Sequence, residues 1–204
     1  MSLDRRWVYA GLVVAAAGAG LAKLLPSGPR IRAGTRLMVV GDSLAVGMAP
    51  YFACLSKEQK LPFDALAKVS TRIDQWAASQ VLAEHVATFK PTLVLVSLGT
   101  NDVFMMGDVA AKQRPALAQL IAQLTVGGAE LAWIGPPQLA GRPNAGLLTL
   151  LKSAIPASNY FASETLPIPR GPDNLHPTAK GYAGWSGAIW QWLSGPPGSG
   201  SCGA

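Results

Sequence analysis

The 204-residue sequence contains only two histidines and two cysteines, and these low counts exclude several kinds of site. His85 and His176 are far apart in the chain, as are Cys54 and Cys202, so no zinc site is expected. Two cysteines also cannot build the disulfide framework of a small secreted domain. We expect Cys54, in an apolar helical stretch, to be a core thiol and Cys202 to be unpaired, which leaves the redox compartment undecided.

Charged residues are also scarce, at 14% of the chain, whereas half of the residues are hydrophobic. This balance is typical of a folded protein, and the length suits one domain with a full core plus appendages. The net charge is +6, but the basic residues are scattered, and the densest group is Arg30, Arg32 and Arg36. A nucleic-acid-binding surface usually has a denser basic stripe with interleaved aromatics, so no nucleic-acid partner is predicted.

Two common motifs are missing as well. The sequence has no Gly-x-x-x-x-Gly-Lys-Ser/Thr, which excludes a P-loop for nucleotide phosphates. It has no Gly-x-Ser-x-Gly, which argues against an α/β-hydrolase nucleophile elbow. No cofactor is therefore predicted.

The N-terminus has the longest uncharged run. Arg5 and Arg6 precede residues 7–22, and the apolar segment at residues 1–25 has the charge and hydropathy pattern of a signal peptide or a membrane anchor. The run is rich in Gly and Ala and short for a transmembrane helix. The segment predicts export to the periplasm or the cell exterior, with membrane association through residues 7–25 if it is not cleaved.

Short β-like runs alternate with longer helical stretches between a Pro/Gly-rich linker at residues 26–35 and a Gly/Pro/Ser-rich, disordered tail at residues 195–204. The strands are predicted at residues 36–40, 63–69, 92–97, 131–134 and 159–161, and the helices at 44–57, 71–89, 115–125, 145–155 and 178–193. In the helix at 71–89, the side chains expected to face inward are Ile73, Trp76, Ala77 and Val81. The alternation predicts that residues 36–194 form an α/β domain, a three-layer α/β/α sandwich with a mostly parallel sheet of about five strands.

Polar residues follow two of the predicted strands. Gly41-Asp42-Ser43-Leu44 comes after the first strand, and Gly99-Thr100-Asn101-Asp102 comes after the third. Parallel sheets bind ligands outside the carboxyl ends of their strands, so both segments should border one site. Ser43 could N-cap the following helix or act as a nucleophile with its own N–H in an oxyanion hole. Asn101 could stabilise a turn or offer its amide to the same oxyanion, and Asp102 is expected to hold that turn.

A base for such a serine is available at His176, in Asp173-Asn174-Leu175-His176. A carboxylate three residues ahead can accept a hydrogen bond from the near imidazole nitrogen, which fixes the tautomer and stabilises the imidazolium. Taken alone, Asp173 could equally cap a turn. His85 lies mid-helix and is expected to be a solvated or core-edge residue.

In order and spacing, the three segments resemble the first, third and fifth sequence blocks of the SGNH (GDSL-type) hydrolase family. The resemblance implies the flavodoxin-like SGNH-hydrolase fold and a triad of Ser43 as nucleophile, His176 as base and Asp173 as the orienting acid. In that family the Ser, a Gly and the Asn supply the oxyanion hole, which carries over to Ser43 and Asn101.

One block departs from the family pattern. The Gly of its second block would fall within residues 68–72, where Ser70 stands instead. A serine keeps the backbone N–H, but a positive φ there would cost about 1–2 kcal/mol. Ser70 is therefore the predicted third oxyanion donor, and a catalytically impaired binding or structural module stays open as an alternative.

The sequence as a whole predicts a serine esterase acting on a small-molecule or polysaccharide ester. An O-acetyl group on an envelope carbohydrate is the substrate that suits an exported relative, by analogy with the family and not from any pocket residue. Lipolytic or thioesterase specificity is the enzymatic alternative. The oligomeric state is not predicted.

Overall fold

A computed structural model describes residues 29–139 and 145–195 of the chain. Its strands are β1 (Leu37–Gly41), β2 (Phe63–Ala67), β3 (Leu93–Ser97), β4 (Glu130–Ile134) and β5 (Tyr160–Phe161). Its helices are α1 (Ser43–Glu58), α2 (Ile73–Ala77), α3 (Gln80–Phe89), α4 (Val109–Leu124), α5 (Ala145–Ala154) and α6 (Ala179–Ser194). The strands pair in parallel in the order β2-β1-β3-β4-β5. The predicted α/β fold with a five-stranded parallel sheet is confirmed.

The sheet is covered on both faces, which explains the continuous apolar runs of its inner strands. In β1, Leu37 and Val39 pack into the core formed with α1 and α6. Met38 and Val40 point to the other face, where α2, α3, α4 and α5 supply the second core. Successive strand residues alternate between the faces, so one run of sequence fills both cores and gives the three predicted layers.

The prediction of one helix at residues 71–89 is wrong, because this segment forms two helices, α2 and α3. The Ser79 hydroxyl accepts the N–H of Leu82 and starts a new helix, while the Ala77 carbonyl accepts hydrogen bonds from two glutamines of α4. Because α3 begins as a new helix, its side chains do not continue the periodicity of α2. Val81, expected to face inward, is 53% exposed, and Leu82 is buried in its place.

Helix α4 begins earlier than the predicted start at Pro115. Asp108 accepts the N–H of Ala111 and caps a helix from Val109, so Pro115 lies inside the helix instead of in its first turn. The capping aspartate is the stronger start signal, because it satisfies backbone N–H groups that otherwise lack partners.

Cys54 is not the core thiol expected from the sequence. Its side chain is exposed on α1 and is disulfide-bonded. The neighbouring Phe52 and Leu55 face the sheet, and a position between them on a helix points away from it. The chain's other cysteine, Cys202, lies outside the described residues.

Part of the predicted linker packs on the domain. The N–H of Ile31 donates to the carbonyl of Leu193 at 2.9 Å, and Arg32 pairs with Glu130 at 3.4 Å. Glu130 begins β4, so this segment and the end of α6 meet at the amino ends of the strands. The leader at residues 1–25 and the tail from residue 196 lie outside the described residues. Within the described ranges, no helix has the length and hydropathy needed to cross a bilayer.

Candidate active site

Two loops from distant parts of the sequence meet at the carboxyl end of the sheet. Ser43 is the first residue of α1, directly after β1, and His176 lies in the loop before α6. The Nε2 atom of His176 is 2.9 Å from Oγ of Ser43, and its Nδ1 atom is 2.7 Å from Oδ2 of Asp173. A hydroxyl, an imidazole and a carboxylate therefore form one hydrogen-bonded line, which is the arrangement needed to remove a proton from the serine.

The loop that carries His176 is held by its own polar groups. The second carboxylate oxygen of Asp173, Oδ1, accepts the backbone N–H groups of Leu175 and His176. The Arg170 guanidinium donates to the Leu175 carbonyl, and Asn174 takes a left-handed φ of 55° that closes the turn. The hydrogen bond from His176, together with these two N–H groups, lowers the pKa of Asp173 to about 2. Asp173 is therefore an anion throughout the neutral range.

Ser43 is positioned by the two residues before it. A Cβ on Gly41 would lie 2.3 Å from the Ser97 carbonyl oxygen of β3, so only glycine fits at this crossing. Asp42 is fully buried, and its Oδ1 accepts the N–H of Leu44 at 2.9 Å. Asp42, and not Ser43, is thus the N-cap of α1. The hydroxyl of Ser43 is left to contact His176.

Asn101 lies at the same edge, and its side chain is held from two sides. Its Nδ2 atom is 3.0 Å from the carbonyl of Thr71 and 3.4 Å from Oδ2 of Asp42. The two contacts use both hydrogens of this amide nitrogen, and the one to Asp42 is the longer, so it is the hydrogen that a ligand could take. The structure thus joins the segments of Ser43, Ser70 and Asn101 through Thr71 and Asp42.

Ser70 takes the backbone conformation that a glycine would favour, with a φ of 60°. Its side chain is exposed, and a serine keeps the backbone N–H that the sequence predicts as the third oxyanion donor. The left-handed conformation costs a non-Gly residue about 1–2 kcal/mol.

We expect Ser70→Gly to relieve this strain and to leave activity within about threefold of wild type, because the predicted donor role needs only the backbone N–H. A glycine also costs about 0.5–1 kcal/mol in unfolded-chain entropy, so the net gain in the free energy of unfolding should be about 0.5–1 kcal/mol. Urea unfolding and steady-state kinetics would measure both. A large loss of activity would mean that the Ser70 hydroxyl itself has a role.

Asp42 and Asp102 are two buried carboxyl groups that are close enough to interact electrostatically. Both are fully buried, and burial is the main cause that raises the pKa of each to about 7. Asp102 accepts the N–H of Ile73 through Oδ1, while its Oδ2 has no hydrogen-bond partner among the described residues. Asp102 therefore anchors the start of α2, in addition to the turn it was expected to hold.

Asp102→Asn should make stability less dependent on pH. The folded protein keeps the Asp102 proton up to about pH 7, whereas the unfolded carboxyl loses it near its ordinary value of 3.8. The folded state thus binds more protons between these values, so the free energy of unfolding falls as the pH rises through them. Asparagine does not titrate, and the loss between pH 5 and pH 8 should shrink by about 2–3 kcal/mol. Urea unfolding at both pH values would measure this, and equal losses in the two proteins would contradict it.

His85 lies outside this site. Its Nδ1 atom is 3.2 Å from Oδ2 of Asp64, which lies within β2 and not at the carboxyl end of the sheet. The side chain is partly exposed, as expected for a core-edge histidine. Over residues 29–139 and 145–195, no cluster of three or more His, Cys, Asp or Glu side chains is arranged to hold a metal ion.

Comparisons with known proteins address the fold. No protein-family model matches the sequence, and no curated protein matches it significantly. Among solved structures, the lipase/acylhydrolase from Enterococcus faecalis superposes with a TM-score of 0.63 at 18% identity, over 80% of this chain and 100% of that one. A GDSL-like lipase from Bacteroides thetaiotaomicron gives a TM-score of 0.62 at 15% identity, over 86% and 94% of the two chains. This chain has the GDSL-type hydrolase fold.

An acetyl xylan esterase from Geobacillus stearothermophilus shares the GDSL-type fold of this chain with a TM-score of 0.56 at 17% identity, over 85% of this chain and 99% of that one. The predicted resemblance to SGNH hydrolases is thus confirmed at the level of the fold. The neighbours include both lipases and an acetyl esterase, so the GDSL-type fold alone does not select a substrate.

Proposed function

We propose that this chain is a serine hydrolase that cleaves carboxylic esters through an acyl-enzyme. The observation that carries the proposal is the line of two short contacts, 2.9 Å from His176 to Ser43 and 2.7 Å from His176 to Asp173. A capping role for Ser43 would not require either contact, and the helix already has its cap in Asp42. The esterases and acylhydrolases that share the fold support the same reaction class.

In the proposed reaction, Oγ of Ser43 attacks the ester carbonyl while Nε2 of His176 takes the hydroxyl proton. The carbonyl oxygen becomes an oxyanion, which accepts hydrogen bonds from the backbone N–H groups of Ser43 and Ser70 and from the Asn101 amide. Collapse of this intermediate breaks the ester C–O bond, and His176 returns the proton to the leaving alcohol. Asp173, which stays charged, stabilises the imidazolium in between.

Deacylation repeats the same steps with water as the nucleophile. His176 takes a proton from the water, the resulting hydroxide attacks the acyl carbon, and Oγ of Ser43 leaves with the proton that His176 gives back. The products are a carboxylic acid, an alcohol and the free enzyme. The proposed steps require no cofactor.

Two substrate classes fit this chemistry. A small acyl group on a carbohydrate, such as an O-acetyl group on an envelope polysaccharide, is supported by the acetyl xylan esterase among the structural neighbours. A lipolytic specificity is supported by the GDSL-like lipase and the lipase/acylhydrolase, and a thioesterase specificity is its enzymatic alternative.

We also propose that the protein is exported, with residues 1–25 as a signal peptide or membrane anchor. Recovery of full-length protein only from the cytosolic fraction would refute this proposal.

The alternative function is a binding or structural module in which the site no longer turns over. The serine at position 70 motivates it, because this is the one sequence block that departs from the family's pattern. A panel of p-nitrophenyl esters, assayed with wild type and Ser43→Ala, separates the two functions. Turnover that depends on Ser43 supports the enzyme. If no ester of any chain length shows such turnover, the binding or structural module is supported.

A further inference from the structure

Large apolar side chains are exposed mainly at the catalytic end of the sheet. Among the described residues, those on segments that follow strand carboxyl ends are Val46, Val69, Phe104, Met106 and Leu166. The other two are Val81, on the outer face of α3, and Val126, after α4. Exposed apolar side chains gain free energy when a ligand covers them, so an uneven distribution of this kind points to a binding surface.

Three of these side chains are adjacent to residues that we assign to the reaction. Val69, which is 58% exposed, immediately precedes Ser70. Val46, 41% exposed, lies three residues after Ser43 on α1, and residues three apart share one face of a helix. Met106, 87% exposed, follows the 3₁₀ turn that begins just after Asn101. We call Val46, Val69 and Met106 the apolar rim.

The loop that carries His176 is polar. The loop before α6 presents His176 together with the exposed side chains of Asp173 and Asn174 and the half-buried Arg170. In the proposed reaction His176 must give its proton to the leaving oxygen, so the alcohol part of the substrate lies on this polar side. The carbonyl oxygen points to the oxyanion donors, and the acyl chain leaves the same carbon in a third direction, away from the leaving oxygen. The apolar rim belongs to the segments that carry these donors and Ser43, and not to the loop of His176.

We propose that the apolar rim binds the acyl chain of the substrate, and that the enzyme prefers esters with acyl chains of medium length, about eight carbons, over acetyl esters. This inference rests on the proposed serine hydrolase function and selects the second of its two substrate classes. An acetyl group has one methyl and is too short to cover side chains contributed by three separate segments. Each further CH₂ that is buried adds about 0.8 kcal/mol to transition-state binding, which is about a fourfold gain in rate.

A second apolar surface allows a matched control. A cavity of about 550 Å³ lies between α3 and the end of α4, and Val126 and Thr92 are among its lining residues. Thr92 immediately precedes β3, so this cavity is at the amino end of the sheet and cannot receive a group attached to Ser43. Val126 is 64% exposed, about as much as Val69, and Val126→Ser makes the same chemical change far from the serine.

The test compares kcat/KM for p-nitrophenyl octanoate and acetate in the wild type, the double variant Val69→Ser/Met106→Ser, Val126→Ser and Ser43→Ala. We expect the octanoate-to-acetate ratio to exceed about ten in the wild type, to fall about tenfold in the double variant, and to stay unchanged in Val126→Ser. Val69 and Met106, the two rim residues that are replaced, are both exposed, so the double variant should fold. Circular dichroism would check this.

The outcomes separate the two proposals. The acyl-chain assignment is overturned if the wild type prefers the acetate ester, or if the double variant leaves the octanoate-to-acetate ratio unchanged. In either case, Ser43-dependent hydrolysis of the acetate ester would still support the proposed serine hydrolase. If the octanoate-to-acetate ratio fell equally in the double variant and in Val126→Ser, the effect would come from general surface hydrophobicity, and the assignment of the apolar rim as the acyl-chain site would be overturned. Absence of Ser43-dependent hydrolysis with either ester would overturn both.

Discussion

Ser43→Ala is expected to lower kcat for ester hydrolysis by about 10⁴–10⁶-fold, the range observed when the nucleophile of a serine hydrolase is removed. Without Oγ there is no atom to attack the carbonyl, and His176 has no hydroxyl proton to accept. Assays with p-nitrophenyl acetate and octanoate at several enzyme concentrations would measure the loss. The fold should not change, because α1 is capped by Asp42 and not by Ser43.

The matched control for this experiment is Ser153→Ala. The Ser153 hydroxyl donates to the Leu150 carbonyl on α5, so its removal also deletes one serine hydroxyl and one contact. We expect wild-type kinetics from this variant. Activity of Ser43→Ala within tenfold of the wild type would contradict the assignment of the nucleophile, whatever the substrate proves to be.

Asn101→Ala is expected to lower kcat by about 10²–10³-fold with a small effect on KM, because an oxyanion donor acts mainly in the transition state. The variant also leaves the Thr71 carbonyl and Oδ2 of Asp42 without the amide that contacts them, so the free energy of unfolding should fall by about 1–2 kcal/mol. Steady-state kinetics and urea unfolding on the same preparation would give the two effects together.

Asn159→Ala separates the catalytic effect from the structural one. The Asn159 amide donates to the Leu131 carbonyl at 2.7 Å, a contact of the same kind as that between Asn101 and Thr71. We expect a similar loss of stability and an unchanged kcat. If the two variants lost activity equally, Asn101 would be a residue that only supports the fold.

The sequence was most informative where local chemistry and strand position agree. Two short polar segments follow strands whose apolar runs predict burial on both faces, and parallel strands bring their carboxyl ends to one edge. This reasoning was enough to expect Ser43 and Asn101 in one place. The pairing of Asp173 with His176 was predictable because only three residues separate them and Asp173 can also accept the N–H groups of the turn.

Other features depend on contacts that are distant in sequence. The break between α2 and α3 is stabilised by glutamines of α4 that reach the Ala77 carbonyl, and the pattern of apolar residues carries no sign of them. The double role of Asp42, which caps α1 and contacts Asn101, also appears only when β1 and β3 lie side by side. A local signal for the cap did exist, since Gly-Asp-Ser before a helix is a common capping sequence.

The exposure of Cys54 and Val81 has a simpler cause. Both belong to helices with apolar residues on more than one face, so hydrophobicity alone gave the wrong direction for a single side chain. A shift of one residue on a helix turns the side chain by about 100°, which is enough to move it from the core to the surface.

The position of the chain's two described ends has a practical consequence. Ile31 is hydrogen-bonded to Leu193, and Gly195 lies beside Arg30, so the first and last described segments lie together at the amino ends of the strands, the end opposite Ser43. A bead or a tag attached directly at residue 30 or residue 195 would therefore be held at the end of the sheet opposite Ser43. Attachment at these positions should leave the rate of the proposed ester hydrolysis equal to that of the free protein.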